Sequence, residues 1–261
     1  MIDTHVHLDD EKLVNDVDNI TRDFTRCGIK LVINNSCDRE SMEKGFEFAR
    51  KYDDVYCTVG MHPHTARFFD QAFADRMAML ASHPKVVAVG EIGLDYYYDL
   101  SDRNVQRDVF ALQLEYADKL GLPVTLHVRD AYGDAADILN AQKKYLNRPV
   151  VWHCYSGSAE LARQMVKKGH YFSFGGAITF KNANKQPVID NIPSDRILSE
   201  TDCPYMTPVP FRGKTNMPQY VRYVVEKLAE MYNVSFEEMQ RITEKNCFDV
   251  FGKIDRSKYE Q

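Results

Sequence analysis

The chain lacks long apolar runs, paired cysteines and an excess of basic residues, and each absence removes a class of protein. No stretch approaches the roughly 20 consecutive apolar residues of a membrane span, so no membrane association is expected. The N-terminus, Met1-Ile2-Asp3-Thr4-His5-Val6-His7, has no basic segment leading into an apolar one. We therefore expect no secretory leader, and a first element that already belongs to the fold. The six cysteines (Cys27, Cys37, Cys57, Cys154, Cys203 and Cys247) are scattered, without a C-x-x-C pair. Reduced thiols and a cytoplasmic location are the expectation. A net charge of −5 argues against a broad basic face coating nucleic acid. It leaves open a nuclease whose positive charge is concentrated at bound metals and a few arginines. Low-complexity segments, long linkers and charge blocks are absent too, so residues 1–261 are expected to form a single barrel domain. No obligate protein partner is evident.

What is present is a recurring apolar, β-branched run followed by a helical pattern. The strand candidates are Ile2–Val6, Ile29–Asn34, Val55–Gly60, Val86–Ile92, Val124–His127, Val150–Cys154, Tyr171–Phe174 and Ile197–Glu200. They lack the alternation of a half-exposed sheet and read as buried parallel strands. Between them, Val105, Val109, Leu112, Tyr116 and Leu120 follow the spacing of one buried helix face over 102–120. Ser101 is placed to cap that helix, and Gly121 and Pro123 supply its stop. Ser235-Phe-Glu-Glu238 fits a capping box opening a final helix toward Val250. Eight strands alternating with helices, in 261 residues, point to an α/β protein built as a (β/α)8 TIM barrel.

The histidines and acids fall at the ends of these runs. His5 and His7 lie two apart at the end of the first and share a face. Glu91 ends the fourth, His127 the fifth and His153 the sixth, while Asp202 follows the eighth. Each alone has an ordinary explanation: polar strand ends, core histidines, or carboxylates that cap helices. Together, on a fold whose reactive face is the C-terminal mouth, they form a metal-ligand set. Imidazole and carboxylate suit Mg, Mn or Zn without choosing among them. Neutral imidazoles and two carboxylates around two divalent cations leave the site at roughly +2, which favours an anionic substrate such as a phosphodiester.

These segments carry a wider likeness. Ile2-Asp-Thr-His-Val-His-Leu-Asp9, Val59-Gly-Met-His-Pro-His64, Gly90-Glu-Ile-Gly-Leu-Asp-Tyr96 and Leu126-His-Val-Arg-Asp-Ala131 come first. Trp152-His-Cys-Tyr-Ser-Gly157, Glu200-Thr-Asp-Cys-Pro-Tyr205, Pro210-Phe-Arg-Gly-Lys-Thr-Asn216 and Thr243-Glu-Lys-Asn246 follow. In that order they resemble the TatD-type metal-dependent deoxyribonucleases, a branch of the amidohydrolase-like barrel hydrolases. The resemblance implies two divalent metals: one on His5, His7 and Asp202, the other on His127 and His153, with Glu91 bridging. It implies hydrolysis of DNA phosphodiesters by a metal-activated water, on single strands or 3′ ends as an exonuclease. Asp202, with Glu91, is the expected catalytic carboxylate. An acyl or aminoacyl deacylase acting on amides or esters is the alternative chemistry for the same barrel.

Around the metals, Arg129 is a candidate phosphate fork, with a salt bridge to Asp130 or another carboxylate as its ordinary role. His62, Ser156 and Tyr96 are further substrate-contact candidates; Tyr96, Tyr97 and Tyr98 offer rings for base stacking. His64 is expected to cap the next segment. Arg212 and Lys214 are candidates for steering nucleic acid. Cys154 and Cys203 read as packing residues, and His83 and His170 as surface residues. Two positions depart from the family pattern: Met217 stands where a glutamate is usual after Asn216, and Val128 where cysteine is usual.

Overall fold

Eight apolar runs become strands: β1 Ile2–Val6, β2 Leu31–Asn34, β3 Val55–Val59, β4 Val86–Asp95, β5 Val124–Arg129, β6 Val150–Trp152, β7 Tyr171–Phe174 and β8 Ile197–Ser199. A computed structural model, describing residues 1–259, places them in one sheet in sequence order, each paired in parallel with the next. Nearly every strand residue is buried, because helices cover the outside and side chains fill the inside. That is the expected barrel.

Closure between β1 and β8 runs through the residues just past β8. The His7 amide donates to the Cys203 carbonyl at 2.9 Å, and the Asp202 amide to the His5 carbonyl at 2.9 Å. Below them, the Thr201 hydroxyl and amide donate to the buried carboxylate of Asp3 at 2.6 and 2.9 Å. The seam therefore ties the His5–His7 segment directly to Asp202. Among the described residues, no helix is long and apolar enough to cross a membrane.

The helix Arg103–Leu120 departs from its expected face. Gln106, Phe110, Gln113, Leu114 and Ala117 are buried, whereas Leu112 is 38% exposed. Two glutamines turn the helix. Gln106 accepts from the Asp95 amide at 2.9 Å and donates to the Ser101 carbonyl at 2.8 Å. Gln113 accepts from the Met61 amide at 2.7 Å and donates to the Met61 carbonyl at 3.0 Å. Their amides satisfy loop backbone that would otherwise be buried without partners. The cap is Asp102, which accepts from the Asn104 amide, and not Ser101, whose hydroxyl donates to the His64 carbonyl. Gly121 ends the helix at φ +66°, a conformation glycine adopts freely.

The last helix, Phe236–Val250, opens with half of the expected capping box: Ser235 accepts from the Glu238 amide at 3.0 Å, while the Glu238 carboxylate turns to Arg241. It docks under the barrel through Glu244, which meets the Met1 ammonium at 3.0 Å and Lys30 at 2.8 Å. Burial opposes ionisation of Glu244, but Lys30 and the N-terminal ammonium outweigh it and lower its pKa. A depressed carboxyl pKa adds stability above the unfolded value of about 4.3, and that stability is lost as pH falls through the folded value. Glu244→Gln is therefore expected to destabilise the protein by roughly 3–5 kcal/mol at pH 7, as for a broken buried ion pair. In denaturant melts the gap to the parent should narrow below about pH 4; a gap independent of pH contradicts this account.

Candidate metal centre

The centre begins with how closely β4 and β5 approach. A Cβ at Gly90 would lie 2.7 Å from the Thr125 Cβ and 2.8 Å from its carbonyl oxygen, so glycine is required there. The Gly90 carbonyl accepts from the Ser36 hydroxyl at 2.9 Å and from the Thr58 hydroxyl, and the Glu91 amide donates to the Ser36 carbonyl at 2.8 Å. The backbone is held on both sides of Glu91, whose side chain is buried at the mouth.

Its two oxygens face different partners. Oε2 lies 3.2 Å from His5 Nε2 and 3.7 Å from His7 Nε2. Oε1 lies 2.6 Å from His127 Nδ1, 3.4 Å from His153 Nε2 and 3.8 Å from His62 Nε2. Asp202 Oδ1 completes the group, 3.4 Å from His7 Nε2. His5 and His153 stack at 3.7 Å between ring centroids. Among the described residues, donor atoms close enough to share a cation occur as three sets: His5, His7 and Glu91; His5, His153 and Asp202; and His62, Glu91 and His127.

The donor chemistry fits a divalent cation. His7 Nδ1 meets the Asn35 carbonyl at 3.1 Å, which turns Nε2 toward His5, Glu91 and Asp202. Burial opposes ionisation of Glu91, yet His153, His5 and His127 outweigh it and hold the carboxyl well below its usual range. Burial also disfavours charge on His153, but Glu200 and Glu91 outweigh it and raise its pKa to about 9. His7 and His127 are raised in the same direction, whereas burial lowers His5 and His62, and the raised group marks an unmet demand for positive charge. A divalent ion would meet that demand, and the nitrogen and oxygen donors present are ones that zinc and manganese accept.

Carboxylates behind the histidines orient them. Asp95 Oδ2 lies 3.2 Å from His127 Nε2 and 2.8 Å from His64 Nε2, while Oδ1 accepts from the amides of Tyr97 and Tyr98, each at 2.9 Å. Glu200 Oε1 lies 3.0 Å from His153 Nδ1, and the Glu200 carboxylate also accepts from the Cys154 amide and the Ser173 hydroxyl. Neither acid was among the sequence candidates. The signal existed: Asp95 lies four residues past Glu91 on the same strand, and Glu200 lies two residues before Asp202.

The structure brings all six expected ligands together and adds His62, but it reassigns several neighbours. His62, not His64, caps the turn Pro63–Phe68 by accepting from the His64 amide, and its Nε2 points at Glu91. Arg129 pairs with no carboxylate among the described residues; it stacks on Tyr97 at 3.8 Å and Tyr98 at 4.8 Å. Tyr96 is turned away, its hydroxyl donating to Asp134 and its ring under Arg103. Ser156 meets the Tyr132 hydroxyl at 2.7 Å, and the helix Ala159–Val166 is capped by Ser158. Arg212 and Lys214 stack on Phe180 and Phe211. Met217 joins the apolar cluster of Val6, Leu8 and Cys203.

Two cavities flank the centre. The larger, about 810 Å³, reaches Lys12, His62, Tyr98 and Tyr205; the smaller, about 310 Å³, has Tyr155, Phe174, Ile178 and Lys185 in its wall. His127, Arg129, His153 and Asp202 line both. Cys154, expected to face away, lines the smaller one.

A family model described as TatD related DNase matches residues 2–252. The chain belongs to that family. Membership makes it a metal-dependent hydrolase by class. It is 39% identical to YabD of Bacillus subtilis, described as an uncharacterized metal-dependent hydrolase, over 96% of this chain and 98% of YabD. YcfH of Escherichia coli, described in the same terms, is 34% identical over 99% and 97%. Among solved structures, the TatD homolog YJJV of Escherichia coli superposes with a TM-score of 0.90 at 29% identity, covering 97% of this chain and 98% of its own.

Asp95→Asn is expected to weaken metal binding about 10–100-fold, as loss of a carboxylate behind a ligating histidine does. Chelator competition measures it; unchanged affinity in a folded variant would remove Asp95 from the centre.

Proposed function

We propose that the protein hydrolyses DNA phosphodiesters, at single strands or 3′ ends, with two divalent cations at the barrel mouth. One observation carries this reading: the two oxygens of Glu91 face separate groups of imidazoles. His5, His7 and Asp202 would hold one cation and His127 with His153 the other, with Glu91 shared and His62 a further donor beside His127. When bound, the cations neutralise the phosphate and make water a stronger acid.

The chain's own groups then divide the work. Asp202 lines both cavities, and although burial opposes its charge, the hydrogen bond from His7 and the nearby His153 keep it ionised. It accepts the proton of the attacking water. Arg129, fixed over Tyr97 and Tyr98 with its donors unpaired by any carboxylate among the described residues, offers the phosphate a bidentate fork. Tyr98, in the larger cavity, takes the base-stacking role expected of Tyr96. The family description supports DNA as the substrate. Six free thiols fit a reducing compartment, so we place the activity in the cytoplasm. The apolar wall of the smaller cavity favours one second reading, hydrolysis of an acyl amide or ester.

Protein loaded with Mg, Mn or Zn should release nucleotides from single-stranded DNA, and Glu91→Ala or Asp202→Ala should abolish the release. Arg129→Ala should raise KM for DNA by roughly tenfold or more, the cost of a lost charged hydrogen bond, with less effect on kcat. Turnover of N-acyl substrates with DNA untouched would overturn the nuclease reading in favour of the second.

A further inference from the structure

His170 was expected at the surface; it is 4% exposed, at the start of β7 on the side of the barrel opposite the mouth. Its Nδ1 receives the indole N–H of Trp152 at 2.9 Å. Indole nitrogen only donates, so His170 Nδ1 is the acceptor and a neutral ring carries its proton on Nε2. Burial, reinforced by Lys168, pushes the imidazole pKa down to about 4, which keeps the ring neutral. The Nε2–H has no acceptor among the described residues, and His170 lines a cavity of about 280 Å³.

The rest of that cavity is basic. Lys143, Arg148 and Lys168 line it together with Asn140 and apolar side chains, and no carboxylate does. Lys168 touches the Asn140 side chain, while Lys143 and Arg148 have no carboxylate partner among the described residues. In a chain of net charge −5, Lys143, Lys168 and an unspent N–H surround one recess with no acid in its wall, and Arg148 stands on the ridge it shares with a neighbouring recess that holds Asp249; together they form a site for an anion with several acceptor oxygens. We propose that this cavity binds phosphate, free or as the monoester of a small molecule, through Lys143, Arg148, Lys168 and the Nε2–H of His170. It is separate from the metal centre: β6 runs between them, with Val150 lining the cavity and His153 following its other end.

The chain has one tryptophan, and its indole is bonded to His170, so Trp152 emission reports on occupancy. Metal-loaded protein is titrated with inorganic phosphate and, separately, with dAMP. Fluorescence is followed, and bound phosphate is counted by equilibrium dialysis. The exposed pair Lys143→Ala/Arg148→Ala should bind one phosphate fewer per chain and shift the fluorescence midpoint at least tenfold, while DNA hydrolysis persists. Arg129→Ala, at the mouth, should leave the fluorescence response in place. Tighter binding of dAMP identifies a monoester as the ligand, and equal binding identifies free phosphate. An unchanged phosphate count and midpoint in the Lys143/Arg148 variant would overturn the proposal.

Discussion

The mouth of this barrel is organised around one buried carboxylate that meets imidazole on both of its oxygens. Glu91 is ionised despite burial only because His153, His5 and His127 surround it. Stripped of positive charge, the same residues would be an unpaired buried carboxylate, a state that costs several kcal/mol. The contact therefore explains the local architecture beneath it. Gly90 lets β4 approach β5, Ser36 and Thr58 hold the Gly90 carbonyl, and the β1–β8 seam brings His5, His7 and Asp202 within reach.

Behind the histidines the order continues outward by charge and hydrogen bonding. Asp95 orients His127, the amides of Tyr97 and Tyr98 hold Asp95, and Gln106 reaches from the outer helix to the Asp95 backbone. Those tyrosines in turn carry the Arg129 guanidinium. The arginine proposed to bind phosphate and the histidine proposed to bind metal thus share one support. Stability and chemistry occupy opposite ends of the barrel. The Glu244 ties sit with the N-terminus below, and the ligands sit above.

The strands and the convergence of the six candidate ligands were legible because buried parallel strands are β-branched and because strand ends converge on one face. Residues 5, 7, 91, 127, 153 and 202 needed only that rule. The helix face over 103–120 was not legible, since hydrophobic spacing cannot register Gln106 and Gln113 as core residues that bond loop backbone. Asp95 and Glu200 escaped because convergence at strand ends marks ligands and not the acids that orient them. His170 escaped for a related reason: its partner, the indole of Trp152, lies 18 residues away on the neighbouring strand. The family likeness supplied the division into two metals and the choice of DNA, which no periodicity contains.

The central claim is that Glu91 is shared between two cations. Metal content per chain, measured by mass spectrometry on the parent and on Glu91→Gln after dialysis against a buffered divalent ion, tests it most directly. The account predicts two ions per parent chain and weakened binding of both in the variant. One ion per parent chain, or two ions held equally well without the Glu91 carboxylate, would contradict it.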